Sequence, residues 1–137
     1  MLLIGRFQVT VDGKGRVCVP AQFRDALKSP AHLFVYPSQH LQCVEGAGQQ
    51  VMDDRAAQIA ALDPFDLRRA ALDRIFFGEA QQVAVDSTGR FVLPEPFRSL
   101  TGIANDAVFV GARDHFQLWS PDREADWATQ ARHVARS

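Results

Sequence analysis

Apolar residues in this chain fall into runs of two kinds. Val9 and Val11 stand between polar neighbours, and Leu33-Phe34-Val35-Tyr36 run together between turn residues; both patterns are those of strands. Val51-Met52, Ala56, Ile59 and Leu62 recur at helical spacing, with Asp53, Asp54 and Arg55 mostly off the stripe, the pattern of a helix with one buried face. From the N-terminus the positions predict a strand ending at Val11, a tight hairpin turn carried by Gly13 and Gly15, and a return strand from Arg16 to Val19. A short helix opened by Pro20 follows, with Phe23 and Leu27 as its packing face. After a break at Ser29-Pro30 come the buried strand and a further strand from His40 to Val44.

The series then recurs. VDGKGRVCVPAQFR, from Val11 to Arg24, returns 74 residues later as VDSTGRFVLPEPFR, from Val85 to Arg98, with seven of fourteen positions identical. Phe97 with Leu100 or Thr101 repeats the helix face, and Val108-Phe109-Val110 repeats the buried strand. HFQLW, from His115 to Trp119, matches HLQCV, from His40 to Val44, at an offset of 75. Between the copies the helical stripe stops near Asp63-Pro64. That pair is also a start signal for a second helix, running to Phe76 with Phe65, Leu72, Ile75 and Phe76 on its apolar face, so the link reads as an αα-hairpin. Ser120-Pro121 opens a C-terminal helix with Trp127, Ala131 and Val134 as its buried stripe, acidic residues in its first turn and Arg132 and Arg136 near its end.

At 137 residues, 47% apolar and 23% charged, the chain has the composition of one soluble domain with its own core, not of a disordered segment. A net charge of −1 excludes a broad basic surface, so any contact with nucleic acid must come from a local cluster. One exists. Between Arg6 and Lys28 stand Arg6, Lys14, Arg16, Arg24 and Lys28 against Asp12 and Asp25, a local +3; the matching part of the second copy is −1. Cys18 and Cys43 read as reduced thiols. The N-terminus has no basic region before a long apolar run, and no stretch approaches the roughly 18 apolar residues of a membrane span, so the expectation is a cytoplasmic protein.

No catalytic constellation emerges. His32, His40, His115 and His133 have no metal-ligand spacing with the two cysteines, and the glycines of DGKGR precede a strand instead of completing a phosphate loop. Ser87 and Thr88 are turn residues. Asp12 with Arg16, and Asp86 with Arg90, can pair across the mouths of their turns as purely structural braces. That reading suits the second copy, where Thr88 replaces Lys14 among acidic neighbours. In the first copy Lys14 projects from a glycine-flanked loop beside Arg16, so that backbone amides and two cations could approach phosphates or base edges.

IGRF, GKGRVCVPAQFR, an alanine-rich link, VDSTGRFVLPEPFR and GARDHFQLW together resemble the MraZ family throughout the chain. The resemblance implies an α+β fold: a swapped-hairpin β-barrel made of two AbrB-like, pseudo-symmetric halves, with the αα-hairpin link and a C-terminal helix. It divides a single domain, residues 1–137, into a first half (1–50), a link (51–77), a second half (78–119) and the C-terminal helix (120–137). It further implies a transcriptional regulator of the bacterial division and cell-wall gene cluster, nucleoid-associated, that binds promoter direct repeats in double-stranded DNA as a ring-shaped homo-oligomer. No cofactor, metal or small-molecule substrate is implied. Carried onto this chain, the DNA-binding residues are Lys14, Arg16, Gly13, Gly15 and Arg6; Asp12, Asp86, Arg90, Arg24 and Arg98 are motif or structural positions. Gln117 stands where the family commonly has an acid before the final Trp. An antitoxin or protein-interaction scaffold of AbrB type is the alternative from a different class.

Overall fold

Two turns that share the D-x-x-G-R pattern give two copies of the same local structure, but the strands beside them do not pair as sequence order suggests. In the computed structural model, which describes all of residues 1–137, the order is β1 (Arg6–Thr10), β2 (Arg16–Cys18), α1 (Ala21–Ala26), β3 (His32–Pro37), β4 (Val44–Ala47), α2 (Gln49–Ala60) and α3 (Leu67–Asp73). A π-helical turn over Arg74–Gly78 extends α3. Then come β5 (Gln81–Ala84), β6 (Arg90–Val92), α4 (Glu95–Thr101), β7 (Asp106–Gly111), β8 (Phe116–Trp119) and α5 (Pro121–Arg136).

The predicted β1–β2 hairpin ladder is absent. β1 instead pairs antiparallel with β7, Phe7 opposite Phe109 and Val9 opposite Ala107, while its counterpart β5 pairs with β3, Val83 opposite Leu33. Each half thus lends its first strand to the other. The six-stranded sheet runs β1-β7-β8-β4-β3-β5, an order that maps onto itself when the halves are exchanged. A pseudo-dyad passes between Glu45 and Gln117, paired where β4 meets β8, and between Val17 and Phe91, paired where β2 meets β6. The physical reason for the exchange is that an isolated two-stranded hairpin is marginal in water, whereas the exchanged strands share one core.

That core lies between the inner face of the sheet and the two-stranded β2–β6 ladder. Leu33, Val35, Val44, Phe109, Phe116 and Leu118 point in from the sheet, and Val17, Val19, Phe91 and Leu93 meet them from the ladder. Phe23 of α1 sits at the centre, edge-on to Phe7 with ring centroids 5.3 Å apart and stacked on Phe116 at 6.2 Å. Complete burial of such a ring contributes about 1.5–3 kcal/mol. The Phe116 ring occupies the space that a side chain at residue 46 would take, which explains Gly46.

On the outer face of the sheet, Tyr36, Ala47, Val51, Met52, Ile59 and Phe76 form a second cluster beneath the helical link. A third, of Cys43, Val108 and Trp119, lies beneath the start of α5, with Trp127 against it.

Several sequence expectations shift here. The strand assigned to His40–Val44 is Val44–Ala47; residues 39–43 bend, with the Leu41 amide donating to Ser38 Oγ at 3.2 Å. The match of HLQCV to HFQLW was therefore out of register. In the pairing, Glu45 faces Gln117 and Val44 shares the inner face with Phe116, so alternation overrides residue identity. The second link helix begins at Leu67, capped by Asp66, whose carboxylate accepts from the Arg68 amide; Asp63 instead caps a turn through the Phe65 amide. Phe65 consequently projects outward, 96% exposed, and Ala56 is also exposed on α2. In α5 only Glu124 is buried: Trp127 and Ala131 are half-buried, and Val134 is 60% exposed because the helix runs beyond the sheet that covers its first turns.

Candidate nucleic-acid interface

The β2–β6 ladder has an inner and an outer face because strand side chains alternate. Val17 and Phe91 point inward. Arg16 and Cys18 of β2, with Arg90 and Val92 of β6, therefore share the outer face, Arg16 opposite Val92 and Cys18 opposite Arg90. The two arginines stand diagonally about the pseudo-dyad, each at the foot of its own D-x-x-x-R loop. The ladder is extended at both ends by cross-half bonds, Val19 amide to Gly89 carbonyl and Leu93 amide to Gly15 carbonyl, both 2.9 Å. These bonds set one loop at each end of the ladder.

Both loops are built by their aspartates. Asp12 Oδ1 accepts from the Lys14 and Arg16 amides at 2.9 Å, Asp12 Oδ2 takes the Arg16 Nε at 2.6 Å, and the Asp12 carbonyl accepts from the Gly15 amide at 3.0 Å. Asp86 repeats the set: Thr88 and Arg90 amides at 2.9 Å, Arg90 Nε at 3.0 Å, and additionally the Thr88 hydroxyl at 2.8 Å. Gly15 (φ 78°) and Gly89 (φ 87°) take the left-handed conformation that the turn demands, which accounts for both glycines. The Arg16 amide, then its guanidinium, hold the Asp12 carboxyl below the ordinary carboxylate range; the Arg90 amide and then the Thr88 hydroxyl do the same for Asp86, more strongly.

This wiring corrects one expectation. The loop amides are not free to meet an anion, because Asp12 takes those of Lys14, Gly15 and Arg16 and leaves only that of Gly13 unbonded. What the first loop offers outward is charge. Lys14 is exposed and its ammonium pairs with no carboxylate, while Arg16 is partly spent on Asp12. The structural reading of the D-x-x-x-R pair therefore holds in both copies, with Lys14 as the surplus.

Arg6 is not brought to this surface. It stands at the far end of β1 from the loop, and its Nε donates to Glu124 of α5 at 2.6 Å. Arg24 and Arg98, from α1 and α4, lie behind the loops. Sequence reasoning had not singled out Cys18 and Val92 as outward; the signal was the two-residue alternation from Arg16 and from Arg90, unreadable without knowing that the strands pair with each other. Elsewhere, no three of the histidines, cysteines and carboxylates converge in a metal-type cluster, and no helix is long and apolar enough to cross a membrane.

Residues 76–136, from the end of the link to the end of α5, match the family model described as "MraZ protein, putative antitoxin-like". Curated relatives extend the similarity over nearly the whole chain. A Rickettsia bellii protein named "Transcriptional regulator MraZ" is 35% identical over 127 residues, covering 91% of this chain and 85% of the relative. The chain belongs to the MraZ family. Relatives of the same name from Parvibaculum lavamentivorans (35% over 130 residues, 93% of this chain, 81% of the relative) and Rhizobium rhizogenes (36% over 124 residues, 89% and 85%) agree. The family membership and the α+β architecture accord with the resemblance read from the sequence.

Proposed function

We propose that this protein is a DNA-binding transcriptional regulator, and that it meets double-stranded DNA with the outer face of the β2–β6 ladder and the loop Asp12–Arg16. One observation carries the reading: two arginines stand on an outward two-stranded ladder, with the unpaired cation Lys14 beside them. A two-stranded ribbon fits the major groove, where Arg reads guanine and a small apolar group such as Val92, 51% exposed, meets a thymine methyl. The curated relatives' name supports regulation of transcription. Gly13 and Gly15 shape the first loop, and Asp12, Asp86 and Arg90 complete the surface. The protein acts in the cytoplasm at the nucleoid, on promoters that include that of its own division and cell-wall cluster.

A lone loop with one free cation binds weakly, so the reading includes assembly into a ring that presents several loops in one orientation. Neighbours related by rotation about a ring axis call for direct repeats, spaced by about one helical turn of 10–10.5 bp. Linking contacts in this way raises apparent affinity by about 10² to 10⁴. The test is titration of upstream DNA carrying one, two or three repeats, then with one repeat inverted. Affinity rising with each direct repeat and falling on inversion is expected. Tight binding to a single site, or indifference to inversion, would overturn the ring arrangement.

A protein-interaction scaffold is the second reading. It is favoured by the outer end of α5, with Val134 in solvent, and by Phe65 and Leu67 exposed at the tip of the link. Wild-type retardation of upstream DNA by a Lys14→Ala/Arg16→Ala protein would move the conclusion to it.

A further inference from the structure

We propose that Arg24 and Arg98 are positioning residues acting across the pseudo-dyad: each arginine, carried on the helix of one half, holds the D-x-x-x-R loop of the other half in shape. The inference rests on the DNA reading of those loops for its biological meaning, though not for its geometry. Arg24 of α1 lies under the second loop: its Nη1 donates to the Thr88 carbonyl at 3.1 Å, and a Cβ built on Gly89 would run into its Cδ, Nε and Nη1. Arg98 of α4 lies under the first loop: a Cβ on Gly15 would meet its Nη1 at 3.1 Å and its Cζ at 3.3 Å. Gly89 is therefore required twice, once for its positive φ and once because Arg24 occupies the space beneath it, whereas at Gly15 the positive φ is the stronger demand and Arg98 is in close contact.

In both arginines the Nε is sealed from water and donates to nothing. An unsatisfied donor on a charged group is costly to bury, so a side chain held this way is fixed by the packing around it. The guanidinium forms a flat support against the turn. Because the supports cross from half to half, a loop has its floor only when both halves have come together.

The two braces differ in strength. Glu95 stands where the first half has Ala21, and its carboxylate takes Arg98 Nη2 at 3.1 Å. Arg98 makes no hydrogen bond to the first loop, whereas Arg24 is anchored to the second loop's carbonyl. Beneath the first loop Arg98 offers packing alone, whereas beneath the second Arg24 adds a hydrogen bond to the Thr88 carbonyl.

The experiment is backbone amide exchange on the full-length protein without DNA, read separately over residues 12–16 and 86–90. Arg24→Ala is expected to speed exchange over 86–90 by about tenfold while leaving 12–16 unchanged, and Arg98→Ala to do the reverse with a smaller factor. Arg24→Lys keeps the charge but not the planar fork. It should retain the thermal midpoint and still lose protection over 86–90, which a general loss of packing would not produce. Loosening confined to the loop of the mutated residue's own half, or equal loosening of both loops, would overturn the proposal. Normal DNA binding by Lys14→Ala/Arg16→Ala would instead remove the DNA reading and leave the exchange result to decide the bracing by itself.

Discussion

The loops Asp12–Arg16 and Asp86–Arg90 have one backbone design and two electrostatic outcomes. In each, an aspartate carboxylate gathers two amides and an arginine, and a left-handed glycine completes the turn. The difference lies at the third position. Lys14 adds an unpaired cation to the first loop; Thr88 turns its hydroxyl back to Asp86 and closes the second loop on itself. Loop shape is thus set by residues common to both copies, and the capacity to meet a polyanion by one residue that is not. The arginines shared by both copies are half-committed to their own aspartates, which makes the lysine the more telling site.

The largest effect expected from this contrast is on Lys14→Ala/Arg16→Ala. Each substitution should weaken binding to upstream DNA by about 1–3 kcal/mol, measured by titration at fixed salt, with little change in far-ultraviolet circular dichroism. Next come the exchanges Lys14→Thr and Thr88→Lys. The first should weaken binding and lower the salt slope by about 0.9, the amount for one phosphate no longer neutralised, and the second should strengthen it if the loops share one surface. An unaltered affinity in Thr88→Lys would mean that only the first loop reaches DNA.

Arg90→Ala should lower the thermal midpoint, since Arg90 braces Asp86, and also weaken DNA binding, because Arg90 shares the outer ladder face with Arg16. A variant that melts earlier yet binds DNA normally would restore the simpler division into a reading half and a structural half.

The smallest effect concerns acid. The carboxyls of Asp12 and Asp86 are depressed below their ordinary value of 3.8, so their contribution to loop stability is fully present above that pH. It is lost as pH falls through each depressed value, because protonation removes the acceptor that the amides need. Both loops should stay closed at neutral pH and open only in strong acid, the first before the second, since Asp86 has the additional Thr88 hydroxyl. Carboxyl carbon shifts followed by NMR through an acid titration would show the order, and a reversed order would mean that the Thr88 bond adds nothing.

Much of this was legible in the sequence because the repeat is local. Asp, Gly, Arg, Pro and Phe at fixed offsets specify a turn, a strand and a helix whatever lies around them, and the pairing of Asp12 with Arg16 follows from the turn itself. Strand partners were not legible: the alternation of Val9 and Val11 says which face is buried but not that the strand lies against residues of the other half. Asp63 and Asp66 are both cap-type residues, and nothing in the sequence chooses between them; in the structure Asp66 caps the helix and Asp63 holds the turn before it. The stripe on α5 holds as far as the half-buried Ala131 and fails at Val134, which is exposed. Arg24 and Arg98 read as repeat-motif positions, and their crossing to the opposite loops could not be inferred before the exchange of strands was known.

The exchange also governs when the chain can finish folding. β1, at residues 6–10, has as its partner residues 106–110, about a hundred positions later, so on the ribosome it must wait until most of the chain has been made. Until then Phe7 and Val9 belong to a strand with no neighbour, and Phe23 lacks both Phe109 and Phe116. Closing so long a loop is slow compared with forming a local hairpin. The first half is therefore expected to stay open and apolar-edged during synthesis until β7 arrives.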